Sequence, residues 1–144
     1  MSRRRDREEL DPLSKRGMRD ERRPHIYITG ATERQWETLE PCLYIYGFDH
    51  VHAATTVATS TAREHAKAGK TVLHVTIETD EYRFGVWEVD PASGYTHLRP
   101  VATLGKRADV DVPAMNRLAR GIDSVASRVV RGETVVKAGE PRTA

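Results

Sequence analysis

Residues 49–53, Asp49-His50-Val51-His52-Ala53, set two imidazoles two positions apart. Side chains alternate between faces along an extended strand, so both rings would fall on one side and could share a divalent metal ion. The plainer reading of the same residues is a pair of surface histidines beside the turn signalled by Gly47-Phe48-Asp49. Gly69-Lys70-Thr71 raises a second question, because it has the ending of a phosphate-binding loop, G-x-x-x-x-G-K-[ST]. Glu64 stands where the first glycine is needed, and Leu73, Val75 and Ile77 then alternate with His74, Thr76 and Glu78. That is the period of a strand, whereas a phosphate loop opens a helix. Gly69 therefore reads as a helix stop.

The remaining reactive residues offer less. Cys42 is the single cysteine, which excludes an internal disulfide, suits a reducing compartment and, beside Leu43, reads as packing. His65 falls among small residues on a helical seam and reads as a packed histidine, while His74 and His97 stand alone. No Ser-His-Asp arrangement has supporting motif context. Aromatic residues, at 6%, are too sparse to propose a base-stacking platform.

The elements that would position these residues can be traced along the chain. Residues 25–29 read as a strand ended by Gly30. Thr32 and Gln35 have capping-box spacing, and Trp36, Leu39, Leu43 and Tyr46 follow on one helical face. Pro41 predicts a kink or break, and residues 42–46 read equally as the end of that helix or as a strand. A second helix, 54–69, has a seam of Ala54, Val57, Ala58, Thr61, Ala62 and His65 that would let it lie close to a sheet. Two strands, 71–78 and 82–89, flank a short polar turn, and residues 95–103 add another after the turn Asp90-Pro91-Ala92-Ser93-Gly94. Met115, Leu118, Ile122, Val125 and Val129 give the clearest helical period, and residues 133–138 read as a closing strand. The order β-α-α-β-β-loop-α-β predicts an α/β two-layer sandwich, a mixed and mostly antiparallel sheet with helices on one face.

The chain has 144 residues, enough for one domain, assigned here to residues 25–138, with a tail at 139–144. Residues 1–24 carry nine Lys/Arg against six Asp/Glu, and the remainder fourteen against fifteen, so the excess positive charge belongs to the N-terminal arm. With almost no apolar period, this arm is expected to be disordered in isolation; Arg3, Arg4, Arg5 and Arg7 are its candidates for contact with nucleic acid. No apolar stretch approaches the ~18 residues of a membrane span, and the arm has no apolar signal-peptide core, so the expectation is a cytoplasmic protein with no membrane partner.

Val86-Trp87-Glu88-Val89-Asp90 ends a strand in an acid, and Ala119-Arg120-Gly121-Ile122 opens an apolar helical stretch. In this order the chain resembles the Bergerat-fold (GHKL) ATPases, in particular the small bacterial anti-sigma-factor serine kinases, over about residues 25–137. The resemblance implies a GHKL-like α/β scaffold, with Asp90 recognising adenine and Gly121 closing the glycine box beneath the phosphates. The magnesium-binding asparagine of those kinases has no counterpart, since Ala62, Arg63 and Glu64 stand in its place and a guanidinium has no acceptor atom. The implied protein is thus a non-catalytic regulator of the degenerate-ATPase kind, with ATP or ADP as residual ligand and a sigma-factor-like or other regulatory protein as partner. His50-Val51-His52 also resembles the His-hydrophobic-His motif of HUH single-strand nucleases, which implies metal-dependent cleavage and requires a tyrosine nucleophile. The sequence expectations are accordingly a protein-docking regulator first, a nucleic-acid-associated protein acting through its arm second, and a metal-dependent nuclease third.

Overall fold

The computed structural model describes residues 23–54, 56–106 and 111–132. The arm residues Arg3, Arg4, Arg5 and Arg7, the closing strand at 133–138 and the tail lie outside the described residues. The elements are β1 (His25–Thr29), α1 (Glu33–Ile45), β2 (Val51–Ala53), α2 (Thr56–Lys67), β3 (Val72–Ile77), β4 (Glu81–Val89), β5 (Thr96–Gly105) and α3 (Asp111–Val130). The strands form one mixed sheet in the order β2-β1-β3-β4-β5. β1 pairs in parallel with both β2 and β3, while β3-β4 and β4-β5 are antiparallel. The α/β class and the helix-covered mixed sheet are as expected. The element order differs, because the His50-Val51-His52 segment supplies a short edge strand between the first two helices.

That insertion dictates where the helices lie. The chain steps from β1 outward to β2 through α1, then returns past β1 to β3 through α2. Crossovers between parallel strands are right-handed almost without exception, so two steps in opposite directions place their helices on opposite faces. The packing follows this rule. Leu39 and Leu43 of α1 and Met115, Leu118, Ile122 and Val125 of α3 cover Ile26, Ile28, Leu73, Val75, Phe84 and Val101. On the opposite face Ala62 and Ala66 of α2 meet Tyr27, Val72 and Trp87. The expected layer on one face is therefore α1 with α3, and α2 covers the other. β1 and the first half of β3 are covered on both sides, which explains their nearly continuous apolar runs.

Local signals account for the helix ends. Thr32 accepts from the Gln35 amide at 3.0 Å and donates its own amide to the Gln35 side chain at 2.8 Å, completing the expected capping box. α1 runs on through Pro41 to Ile45, so residues 42–46 belong to the helix and its end, and no break occurs. The missing amide hydrogen bond costs about 3 kcal/mol in an isolated helix; fully buried Leu39 and Leu43, one on each side of Pro41, offset it. Gly69, at φ 90°, ends α2 in a left-handed turn, and the Lys70 amide reaches back to the His65 carbonyl at 3.0 Å. Gly69-Lys70-Thr71 thus joins a helix to β3 and is no phosphate loop. Arg23 anchors the entry to β1: its guanidinium pairs with Asp123, donates to the Tyr46 carbonyl at 2.8 Å and covers the Phe48 ring. Among the described residues, no helix is long and apolar enough to cross a membrane.

Candidate metal centre

Four of the six histidines, His25, His50, His52 and His74, lie on the α2 side of the sheet and a fifth, His65, on α2 itself, which concentrates proton and metal chemistry there. Parallel register creates the cluster. Tyr27 of β1 lies opposite His52 of β2 and His74 of β3, forming one row across three strands. One step nearer the start of β1, His25 stacks on His50 with ring centroids 4.1 Å apart and planes within 8°. Val51 points the other way, into the main core, so His50 and His52 share a face. His25, His50 and His52 each offer a ring nitrogen, and the three atoms lie within 4.8 Å of one another.

α2 completes the group from above. The terminal turn fixed by Gly69 brings His65 edge-on to His25, at 4.5 Å between centroids, and 6.4 Å from His52. Its Nδ1 lies 3.0 Å from the Tyr27 hydroxyl, and Tyr27 in turn stacks on His52 at 4.6 Å.

Electrostatics keep key imidazoles uncharged. Burial, reinforced by His50, His65, His52 and then Lys70, brings the pKa of His25 down from 6.5 to about 4. His52 is lowered by burial and by His65 and His50. Neutral imidazole is the form that ligates metal. Two polar atoms of the group, His25 Nδ1 and His52 Nε2, are buried without a hydrogen-bond partner. A buried polar atom left unpaired costs about 1–3 kcal/mol, a cost that coordination would remove.

Further along the face, His74 is satisfied. Trp87 Nε1 donates to its Nδ1 at 3.0 Å, which leaves the proton on Nε2 to be donated to Thr29 Oγ1 at 2.6 Å. His97 lies apart on β5, 3.4 Å from Glu88. Cys42 donates to the Asn116 side chain at 3.1 Å. Arg63, in the place of the magnesium-binding asparagine, lies over the Trp87 ring at 5.1 Å.

The residues implied by the kinase resemblance are not brought together. Asp90 is half-buried in the β4-β5 turn, where its carboxylate accepts from Ser93 Oγ at 2.8 Å and the Ala92 amide at 3.2 Å. These bonds, that from Ser93 foremost, hold its carboxyl below the usual range and commit its oxygens to the turn. Gly121 lies inside α3 rather than at its start, above Leu104 and Phe84. Phe84 is six positions from Asp90 along the chain, roughly 20 Å at about 3.3 Å per strand residue. Comparison with protein-family models, with curated proteins and with solved structures finds no match.

Gly121 offers a direct check of its role. An added Cβ would meet only the end of the half-buried Leu104 side chain, at 3.0 Å, besides a relaxed contact with Phe84. Leu104 can move by a few tenths of an ångström, whereas alanine favours a helix interior by about 1 kcal/mol over glycine. Gly121→Ala is expected to raise stability by about 0.5–1 kcal/mol in urea denaturation. A phosphate-cradling glycine would instead lose nucleotide binding on that change.

His25 and His65 escape the sequence reading. The signal for His25 is the period-two placement of His25, Tyr27 and Thr29 along β1, which becomes informative only once β1 is known to pair with β2 in parallel. For the nuclease motif, the tyrosine beside His52 is Tyr27, at 1% exposure, and burial raises the pKa of its phenol. It is neither accessible nor activated as a nucleophile.

Proposed function

We propose that this protein binds a divalent transition-metal ion, zinc foremost, through His25, His50 and His52. One observation carries the reading: three ring nitrogens from adjoining segments converge within 4.8 Å, on a face where two imidazole nitrogens have no other partner. Tetrahedral zinc with Zn–N distances of about 2.1 Å needs nitrogens about 3.4 Å apart. The rings can close that difference because their terminal torsions are broad and soft. The stacked His25-His50 pair opens slightly in doing so. Nitrogen-only sites suit zinc, copper and nickel rather than magnesium or calcium, which prefer oxygen.

The last turn of α2 favours a cation, because helix C-terminal carbonyls carry partial negative charge. Lys70 is the nearby positive group, and its exposed, flexible side chain can turn toward water. A metal-responsive binding protein is the activity that these residues support best, in preference to a nucleotide-dependent kinase or a tyrosine nuclease.

Calorimetric titration of the EDTA-treated, dialysed protein with Zn²⁺ at pH 7.5 tests the proposal. Expected is uptake of one ion per chain, lost on combined His50→Ala and His52→Ala substitution. Zinc at a hundredfold excess over its Kd would stabilise the fold by about 2.7 kcal/mol. No heat and no shift in melting temperature with Zn²⁺, Ni²⁺, Co²⁺ or Cu²⁺ would refute it.

A further inference from the structure

We infer that His65 supplies a fourth ligand to this centre, so that metal binding fastens α2 to the sheet. The inference rests on the three-histidine reading above and adds a helix to it. His25, His50 and His52 all belong to the β1-β2 side of the sheet, whereas His65 comes from the helix above. Its ring meets His25 edge-on at 4.5 Å and lies 6.4 Å from His52 between centroids, next to the three whose nitrogens already lie within 4.8 Å of one another, so a small turn of the side chain is needed to join them.

The hydrogen bond behind His65 prepares it for this role. With the proton on Nδ1 donated to the Tyr27 oxygen at 3.0 Å, the Nε2 lone pair is free to ligate. Metal-bound histidines characteristically donate their second ring N–H in this way, which fixes the tautomer and the ring orientation. Tyr27 is itself held under α2 and pairs with strands on both sides, so the support is rigid.

Closing the shell changes what the centre does. Four imidazoles leave tetrahedral zinc no position for a reactive water, the pattern of a structural or sensing site rather than a hydrolytic one. Among the described residues, α2 buries only the small apolar side chains Ala62 and Ala66 against the sheet, with Arg63 lying over the Trp87 ring. A bond from the ion to its last turn would couple metal occupancy to the order of the whole helix.

Co²⁺ is the optical probe and Zn²⁺ the probe for hydrogen exchange, applied to the full-length wild type, His65→Ala and His65→Gln. The wild type is expected to give the intense visible absorption of tetrahedral Co²⁺, and Zn²⁺ to slow amide exchange across α2. Both variants should keep the ion on the other three histidines with affinity weaker by at least the ~10–100-fold that a supporting hydrogen-bond partner of a ligand is worth, a fainter spectrum as water enters, and α2 exchange that ignores metal. Glutamine retains hydrogen-bonding groups opposite Tyr27, so agreement between the two variants separates lost ligation from lost packing. Variants indistinguishable from wild type in spectrum, affinity and α2 exchange would overturn the fourth ligand and leave the three-histidine site standing. A wild type that takes up neither ion would remove both.

Discussion

His52→Leu is expected to make the metal-free protein slightly more stable and to cut its stabilisation by zinc sharply. His52 sits half-buried at the centre of the three-residue strand β2, with its Nε2 buried and unpartnered. Leucine removes that unpaired nitrogen, worth about 1–3 kcal/mol, and keeps apolar cover over Tyr27. Against this stands the stack on Tyr27 at 4.6 Å between centroids, a geometry worth about 0.5–1.5 kcal/mol. The difference favours the variant by about 1 kcal/mol in urea denaturation with EDTA at pH 7. Stabilisation by zinc, about 2.7 kcal/mol for the wild type at a hundredfold excess over Kd, should fall to about 1.4 kcal/mol or less at the same zinc concentration once affinity drops about tenfold or more. A gain in stability coupled to a loss of binding marks residues kept for function rather than for the fold. A variant that is less stable without metal, yet stabilised by zinc as fully as the wild type, would contradict the assignment.

How far the sequence discloses this molecule depends on whether a signal is local. Thr32 with Gln35, Gly69 after α2, and the spacing of Met115, Leu118, Ile122 and Val125 each act within a few residues, and each is realised in the structure. The fate of Pro41 is less local. Its cost is set within one turn, but the compensating burial of Leu39 and Leu43 comes from contacts with distant strands and α3. β2 is shorter still on local information, since three residues carry too little pattern to announce a strand. Without β2 the two crossovers do not exist as such, and the handedness rule that sends α2 to the far face cannot be applied.

The candidate site shows the same division. His50 and His52 can be assigned to one face from their spacing alone, because strand geometry alternates side chains whatever the partner. His25 joins them only through the parallel register that sets Ile26 beside Val51. His65, read as a packed histidine, borders the cluster because α2 runs antiparallel to β1 and ends above its start. The centre therefore lies toward the amino ends of the parallel strands. Ligand crevices of open α/β sheets usually form at the carboxyl ends, so neither fold class nor strand order would have directed attention here. Asp90 and Gly121 illustrate the converse. Order along the chain agrees with a known pattern, yet the β4-β5 hairpin carries Asp90 away from α3.

Acidification is expected to weaken the fold through His74, independently of any metal. The ring is 6% exposed, and both nitrogens are engaged, Nδ1 accepting from Trp87 and Nε2 facing Thr29. Protonation of Nδ1 would set two N–H groups against each other, and burial already holds the pKa of His74 below its ordinary value. The unfolded chain titrates near the usual value of about 6.5. Below that pH the unfolded state binds more protons than the folded one, so stability present at pH 7 is lost as the pH falls. The limiting slope is about 1.4 kcal/mol per pH unit for one such group. His25, lowered to about 4, and His52 act in the same direction. Urea denaturation in EDTA at pH 7.5, 6.5 and 5.5 should therefore show a steeper loss for wild type than for His74→Gln. That variant offers Trp87 an amide acceptor and retains the slope due to His25 and His52. Parallel lines for the two proteins would show that His74 titrates alike in both states, contrary to the buried Trp87-His74-Thr29 chain.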